Sequence, residues 1–402
     1  MEPLYPDDRS GELVGLAELL IRKASALGAA MNPTTRAAMA ELVRPMNSYY
    51  SNLIEGHDTH PIDIERALRE DLSKDDKKKR DLQLEAMAHI ALHRSIHEDF
   101  QKNEKKETPS SAAYLKKLHA DFYINLPEDF KRVVSREGTE RTVVPGEFRD
   151  CNVEVGNHIA PAYGSVPDFM HRFGEVYDTT TTVNKSLTKR IVNIAAAHHR
   201  LVWIHPFLDG NGRVVRLFSD ACFMYEKLDA SGLWSISRGL ARSKDKYQLM
   251  LANADSEREG AYDGRGNLSN KQLVTFCTYF LETAIDQIDF MHQSFQLDGM
   301  LKRLDAYVDR AVDKGKLRTE ARYVLQEVFL RGSITKPEAE RLMHLSDKTA
   351  KMVTDKLMEL RLLKAQKEGK VMRYYANYPI SISPWILPNL YPEAKEAEMM
   401  VI

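Results

Sequence analysis

Polar and apolar residues alternate with a helical period through most of the chain. Leu187, Ile191, Ile194, His198, Leu201 and Val202 fall on one helical face, and Val214, Leu217, Phe218, Ala221, Cys222 and Tyr225 repeat the pattern. Between them the period breaks at His205-Pro206-Phe207-Leu208-Asp209-Gly210-Asn211-Gly212-Arg213, which predicts a helix, a short loop and a second helix. Upstream, Glu12 to Leu27 and Thr35 to Val43 read as helices, and Pro45 predicts a break or a fresh start. Met46 to Glu55 then forms a further helix that ends at Gly56, a residue suited to the position just past a helix. Helical period continues over 61–124, with mixed-charge runs at Lys74 to Asp81 and Gln101 to Thr108 that read as exposed connections.

From Leu126 to Pro167 the helical period fails. Val143 to Arg149 and Val153 to Gly156 carry turn residues and short alternation, which predicts a small hairpin. Ser237 to Asn253 and Asn267 to Leu304 return to amphipathic helix. The last unit opens with a helix over Thr319 to Leu330. A second helix starts at the capping-box sequence Thr335-Lys336-Pro337-Glu338 and runs to about His344, and a third begins at Ser346. Leu362 to Ala365 and Val371 to Tyr375 alternate around Glu368-Gly369 as a two-stranded wing, so this part resembles a winged helix-turn-helix.

Composition narrows the class. The 402 residues exceed one ordinary core, so two or three units are expected. With 57 basic and 58 acidic residues, no overall field selects a nucleic acid or a membrane surface. Cys151, Cys222 and Cys277 are far apart and odd in number, which argues against a disulfide framework or a zinc site and points to a reducing cytoplasm. The first apolar run, Leu13 to Ile21, is interrupted by Glu18 and too short to span a bilayer, so neither a signal peptide nor a membrane span is expected. Locally the balance shifts: Gly315 to Tyr378 holds 14 Lys and Arg against 8 Asp and Glu. Lys348, Lys351 and Lys356 could meet duplex phosphates, but Asp347, Asp355 and Glu359 share their helix, which favours a solvated or protein-contacting face.

The chemistry concentrates in the central loop. Gly210 and Gly212 let the backbone point several N–H groups into one concavity, and that concavity opens a helix. Unpaired amides and the positive end of the macrodipole make it an anion site. Arg213 adds a fork of donors suited to phosphate, and Arg216 lies on the same helix face. Asp209 among these positive groups is placed to hold magnesium beside bound phosphates. His205 is the side chain able to take a proton at neutral pH, although alone it would read equally well as a helix cap. Glu55, in a final helical turn where the dipole disfavours an anion, suggests a cationic partner elsewhere, although on its own it reads more readily as a solvated glutamate at a helix end.

Every fixed position of 205–216 matches the Fic family motif His-Pro-Phe-x-Asp/Glu-Gly-Asn-Gly-Arg-x-x-Arg, so the chain resembles the Fic proteins. The resemblance implies a nucleotidyltransferase, a protein adenylyltransferase that moves AMP from ATP to a Tyr, Thr or Ser hydroxyl of a target protein. It assigns His205 as general base and Asp209 as the holder of Mg2+. Gly210, Asn211, Gly212, Arg213 and Arg216 fall to the ATP phosphates, and Tyr247 to the border of the adenine. Ser51-x-x-x-Glu55-Gly56 is similar to the inhibitory motif of one class of the family, in which the glutamate pairs with the second arginine, here Arg216. Gly146-x-Phe148-Arg149 followed by Val153, Val155, Gly156, His158 and Pro161 resembles the flap that aligns a target segment by strand addition, with few specific side-chain contacts.

The expected architecture is mainly α. It comprises an N-terminal helical region over 1–105 with an inhibitory helix near 46–56, a Fic-type core with a hairpin flap over 106–312, a winged helix over 313–380 and a tail over 381–402. The expected partners are ATP and a target protein, with a homodimer and duplex DNA left open and no membrane. Alternatives are removal of AMP, transfer of another phosphate-containing group, or a DNA-binding regulator that uses the Fic core as an ATP sensor.

Overall fold

The computed structural model describes residues 1–102, 107–124, 126–134, 138–181 and 186–390. Part of the charged run at Gln101 to Thr108 and the expected tail beyond 390 lie outside them. The N-terminal region holds α1 (Glu12–Ala29), α2 (Pro33–Ile54), α3 (Pro61–Leu68) and α4 (Lys77–Gln101). Helix α5 (Ala112–Tyr123) leads to two antiparallel hairpins, β1 (Arg132–Val134) with β2 (Glu140–Thr142) and β3 (Glu154–Val155) with β4 (His158–Ile159). There follow α6 (Val166–Tyr177), α7 (Leu187–Ile204), α8 (Asn211–Tyr225), α9 (Ser237–Arg242), α10 (Lys244–Ala254), α11 (Asn270–Ser294) and α12 (Leu297–Asp313). The last elements are α13 (Ala321–Arg331), β5 (Ser333–Thr335), α14 (Lys336–Met343), α15 (Asp347–Glu359), β6 (Leu363–Glu368), β7 (Val371–Ala376) and α16 (Ser383–Ile386).

Helix α7 is the centre of the core. Every residue from Ile191 to Leu201 is buried, because α1, α6, α8 and α11 pack around it. Its buried polar side chains therefore need partners within the protein. His198 meets Ser219 Oγ at 2.8 Å and Tyr247 Oη at 2.7 Å, and Arg200 donates to the Pro3 carbonyl at 2.8 Å. The helix, loop and helix expected around 205–216 are thus present as α7, a loop and α8.

Four expectations change. Pro45 does not interrupt α2: Leu42 to Asn52 is buried without a gap, and that packing outweighs the roughly 3 kcal/mol that an interior proline costs. The expected hairpin is confined to β3 and β4, while Val143 to Arg149 forms a turn in which Gly146 sits at φ 81°. The run expected as an exposed connection at Lys74 to Asp81 becomes the start of α4, whose cap is Asp76 accepting from Lys79 N–H. Finally, 381–390 is no free tail. Ile380, Ile382, Pro384 and Ile386 are buried, Arg303 of α12 donates to the Ile386 carbonyl at 2.7 Å, and Tyr50 donates to the Leu390 carbonyl at 2.9 Å.

In the C-terminal unit the capping box at Thr335 and Glu338 is formed in full. The strand order is β5-β7-β6, with Ile334 and Ala365 both opposite Tyr374, so a short strand joins the expected two-stranded wing. This unit rests on the start of α2, where Thr35 donates to the Phe329 carbonyl at 2.7 Å. No helix among the described residues is long and apolar enough to cross a membrane.

Candidate active site

The loop between α7 and α8 is held from several sides. Its first residue, His205, lies in the left-handed region (φ 50°, ψ 60°), which costs a non-glycine residue about 1 kcal/mol or more. Arg149 offsets that cost: its Nε donates to the His205 carbonyl at 2.8 Å and its backbone N–H to the Pro206 carbonyl at 2.9 Å. Phe207 is fully buried and stacks on His119, with ring centroids 4.1 Å apart and planes 6° from parallel. His119 in turn accepts from Gly146 N–H at 2.8 Å and donates to the Asp209 carbonyl at 3.2 Å, and burial pushes its pKa down to about 4. It is neutral, as that bonding pattern requires.

Asn211 locks the loop from within. Its Oδ1 accepts from Phe207 N–H at 2.9 Å and its Nδ2 donates to the Phe207 carbonyl at 2.8 Å. Both polar atoms of the side chain are therefore engaged with Phe207, and the backbone N–H of Asn211 is left without a carbonyl one turn back. Gly210 is required twice over, by φ 78° and by the ring of Tyr123, which would lie 2.7 Å from an added Cβ. The first intrahelical bond of α8 runs from Val214 N–H to the Gly210 carbonyl, so the N–H groups of Asn211, Gly212 and Arg213 have no carbonyl one turn back. They form the rim of the anion site.

Two buried arginines complete it. Arg213, 5% exposed, pairs with the fully buried carboxylate of Glu85 and reaches Asp209 Oδ2 at 3.3 Å. Tyr123 donates to that same Oδ2 at 2.9 Å. Burial favours the protonated form of Asp209, but the Arg213 guanidinium and the Gly210 N–H outweigh it and hold the carboxyl below its usual range. Arg216, 1% exposed, donates from Nε to Ser51 Oγ at 2.9 Å and from Nη2 to the Ser51 carbonyl at 3.0 Å.

The second donor target of Arg216 Nη2 is Glu55 Oε1, at 2.6 Å. Glu55 caps α2, and Gly56 at φ 84° closes the helix in a Schellman turn, with Gly56 N–H on the Leu53 carbonyl and His57 N–H on the Asn52 carbonyl. This turn aims the carboxylate at the start of α8, where a Cβ on Gly212 would lie 2.2 Å from Glu55 Oε1. An anion thus already rests on the anion site. Burial works against its charge, yet Arg216 and Arg213 together hold the Glu55 carboxyl below its usual pKa.

His205, the candidate base, is pushed down to about 4, chiefly by burial and then by the charge of His158, so it is neutral and able to accept a proton. The structure brings His205, Asp209, Gly210 to Arg213, Arg216, Ser51 and Glu55 into one site. Tyr247 lies behind it: the residue is 3% exposed, and its hydroxyl sits between His198 and the Arg216 guanidinium. It supports Arg216 and presents no open ring, because its face of α10 is turned into the core. In the flap, Val155 is 48% exposed and Gly156 forms the turn, with Val153 at its base, while His158 is turned inward onto the Trp203 carbonyl at 2.9 Å. His158 is thus the flap side chain that is tied into the protein, while Val155 stays open to solvent.

Glu85, Tyr123, His119 and Arg149 do as much for the site as the loop itself. Glu85 is 128 residues from its partner Arg213, and nothing in its own neighbourhood in the chain announces the pairing. Among the described residues no group of three or more His, Cys, Asp or Glu could hold a metal ion by itself. Asp209, whose side chain is 43% exposed, fits a Mg2+ that arrives with phosphates and takes one carboxylate from the protein.

Residues 109–222 match the Fic/DOC family model. The chain contains a Fic domain. An 80-residue stretch, 20% of the chain, is 45% identical to the protein adenylyltransferase Fic of Drosophila melanogaster and equally to that of Drosophila sechellia. It spans 15% of the length of these relatives. The fold is similar to that of a Fic family protein from Desulfovibrio desulfuricans G20, with TM-score 0.52 and 16% identity over 93% of this chain and 98% of that one. A Fic domain containing signaling protein from Bacteroides thetaiotaomicron VPI-5482 gives TM-score 0.52 at 18% identity over 69% and 96%. At such identities the likeness speaks for the fold, here a mainly helical Fic core.

Proposed function

We propose that the chain is a protein adenylyltransferase whose resting state is blocked by Glu55. The observation that carries this reading is a carboxylate seated where the start of α8 and two buried arginines would receive phosphates, beside a neutral histidine. ATP competes with Glu55 for that place. With Glu55 withdrawn, the N–H groups of Asn211, Gly212 and Arg213 take phosphate oxygens, and Arg216 neutralises the outermost phosphate.

His205 removes the proton from a Tyr, Thr or Ser hydroxyl of the target. The oxygen forms its bond to the α-phosphorus as the bond from that phosphorus to the bridging oxygen breaks, and pyrophosphate leaves. Asp209 would hold a Mg2+ that arrives with ATP, and the ion would supply charge neutralisation on the phosphates. The buried hydroxyl of Tyr247 favours a supporting role for Arg216 over direct contact with the adenine. The exposed edge of β3 and β4 offers the target segment a backbone to pair with.

We read the C-terminal unit as a winged helix that contacts protein. On α15, Lys356 is paired with Glu359 at 2.6 Å, and Asp347 and Asp355 interleave with the remaining lysines, a poor surface for duplex phosphates. The test of the function is incubation of Glu55→Gly with ATP labelled at the α-phosphorus and a cell lysate. A protein gains the mass of AMP in that sample and none does with Glu55→Gly combined with His205→Ala. A modification of another mass, or label transfer that ignores His205, overturns the assignment.

A further inference from the structure

Both ring nitrogens of His158 face acceptors. Nε2 meets the backbone carbonyl of Trp203 at 2.9 Å, and Nδ1 meets Asp255 Oδ2 at 3.0 Å. A carbonyl and a carboxylate each need a donor, and a neutral imidazole has one N–H. The geometry is satisfied in full only by the imidazolium. Trp203 lies two residues before His205 on the last turn of α7, and Asp255 is the cap of α10. One side chain thus ties the flap to both the helix that delivers His205 and the helix beside it.

The surrounding charges leave His158 as the cation that matches Asp255. His199, on α7, also approaches Asp255, at 3.2 Å from Oδ1, but its Nδ1 accepts from Arg200 Nη1 at 2.8 Å, so its ring is neutral. Arg200 spends its guanidinium on the carbonyls of Pro3 and Ala254 as well as on His199. Arg149 opposes the charge on His158 but is committed to the carbonyls of His205, Cys151 and Pro161. His205 is neutral. Burial lowers the His158 pKa and Asp255 more than restores it, for a net rise, while Asp255 itself is held down to about 2.

The rest of the flap is thinly held. Strands β3 and β4 pair over Glu154 with Ile159 and Val155 with His158, and one further bond joins Ala160 N–H to the Val153 carbonyl.

We propose that doubly protonated His158 is a positioning residue: a clasp that fastens the flap hairpin beside His205 and lets it go when one proton leaves. Its consequence for aligning a target rests on the adenylyltransferase reading, but the clasp does not. A group whose pKa is raised by folding contributes stability in full below its unfolded value, about 6.5, and loses it as pH rises through the folded value. The flap is therefore fully fastened below about pH 6.5 and loosens as pH rises through the raised His158 value.

The test follows the His158 ring proton by NMR from pH 5 to 9 on the native chain, together with amide exchange of residues 153–160 corrected for its intrinsic pH dependence. His158 is expected to titrate above the usual histidine value, and flap exchange to accelerate severalfold across the same midpoint. In Asp255→Asn the midpoint is expected to fall, and in His158→Gln flap exchange becomes independent of pH. A His158 midpoint at or below 6.5, or flap exchange that does not track it, overturns the clasp. No nucleotide enters these measurements, so this outcome is separate from the failure of AMP transfer in Glu55→Gly. If transfer is present, its KM for a protein target in the Glu55→Gly chain rises with the same midpoint while ATP binding does not.

Discussion

Between Phe207 and Arg216 the side chains of Phe207, Asn211, Arg213 and Arg216 are each at most 6% exposed, whereas in the neighbouring flap Val155 is 48% and Ile159 is 75% exposed. The loop is fixed by bonds from four elements: His119 and Tyr123 from α5, Glu85 from α4, Ser51 from α2 and Arg149 from the turn before the flap. The flap has two residue pairs, the bond from Ala160 N–H to the Val153 carbonyl, and His158, with Arg149 bonded to the Cys151 and Pro161 carbonyls at its two ends. The difference fits two tasks. Under the proposed function, aligning a base and a phosphate needs geometry fixed to a fraction of an ångström, and the side chains of Phe207, Asn211, Arg213 and Arg216 are accordingly buried and held by partners from other elements. A strand that receives varied segments needs an open backbone edge and few demands on side chains.

This contrast predicts a graded series of effects. The largest is on chemistry: His205→Ala in the Glu55→Gly background lowers AMP transfer by about a hundredfold to ten-thousandfold with the fold kept, read as labelled product against circular dichroism. Next comes the scaffold of the loop. Glu85→Gln removes the fully buried counter-charge of Arg213, leaving only the longer contact to Asp209, and costs about 3 kcal/mol, visible as a lower denaturant midpoint. A loss below about 1 kcal/mol would mean that solvent reaches Arg213. Asn211→Ala strips both bonds from Phe207 and costs about 1–3 kcal/mol by the same measurement, with ATP affinity reduced as the loop loosens.

A smaller effect is tied to pH. The Glu55 carboxyl titrates below its ordinary value of about 4.5, so its contact with Arg216 contributes stability above that pH and loses it as pH falls through the lowered pKa. The difference in denaturant midpoint between the native chain and Glu55→Gln should be constant from neutrality down to that value and then vanish in stronger acid. Smallest of all, Val155→Thr on the flap changes stability by less than about 0.5 kcal/mol, because its side chain is half in water. A cost above 1 kcal/mol, roughly that of a lost buried contact, would place the flap among the rigid parts and erase the distinction.

The twelve residues of the loop were legible because they are contiguous, and a glycine-bearing turn between two apolar faces states its geometry locally. Gly56 was legible as the end of its helix, while Glu55 alone read more readily as a solvated helix-end glutamate and its pairing with Arg216 came from the resemblance. What escaped was set by distance along the chain. Glu85 and Arg213 are 128 residues apart, and Tyr123 and Asp209 are 86 apart, so neither pair has a local signature. Pro45 misled because an interior proline argues for a break, and only the burial of α2 on every side overrides it. The stretch 381–390 read as part of a tail because its apolar face is short, and the segment is received by α12 and α3. Strand β5 is three residues long, too few to display alternation.

The claim on which the rest depends is that Glu55 occupies the place of ATP phosphates at the start of α8. Titration calorimetry of ATP with Mg2+ into the native chain and into Glu55→Gly tests it most directly. The account predicts an ATP Kd at least about tenfold lower for Glu55→Gly, a difference of about 1.4 kcal/mol, and lost again when Arg216→Ala is added. Equal affinity in the native and Glu55→Gly chains would contradict it.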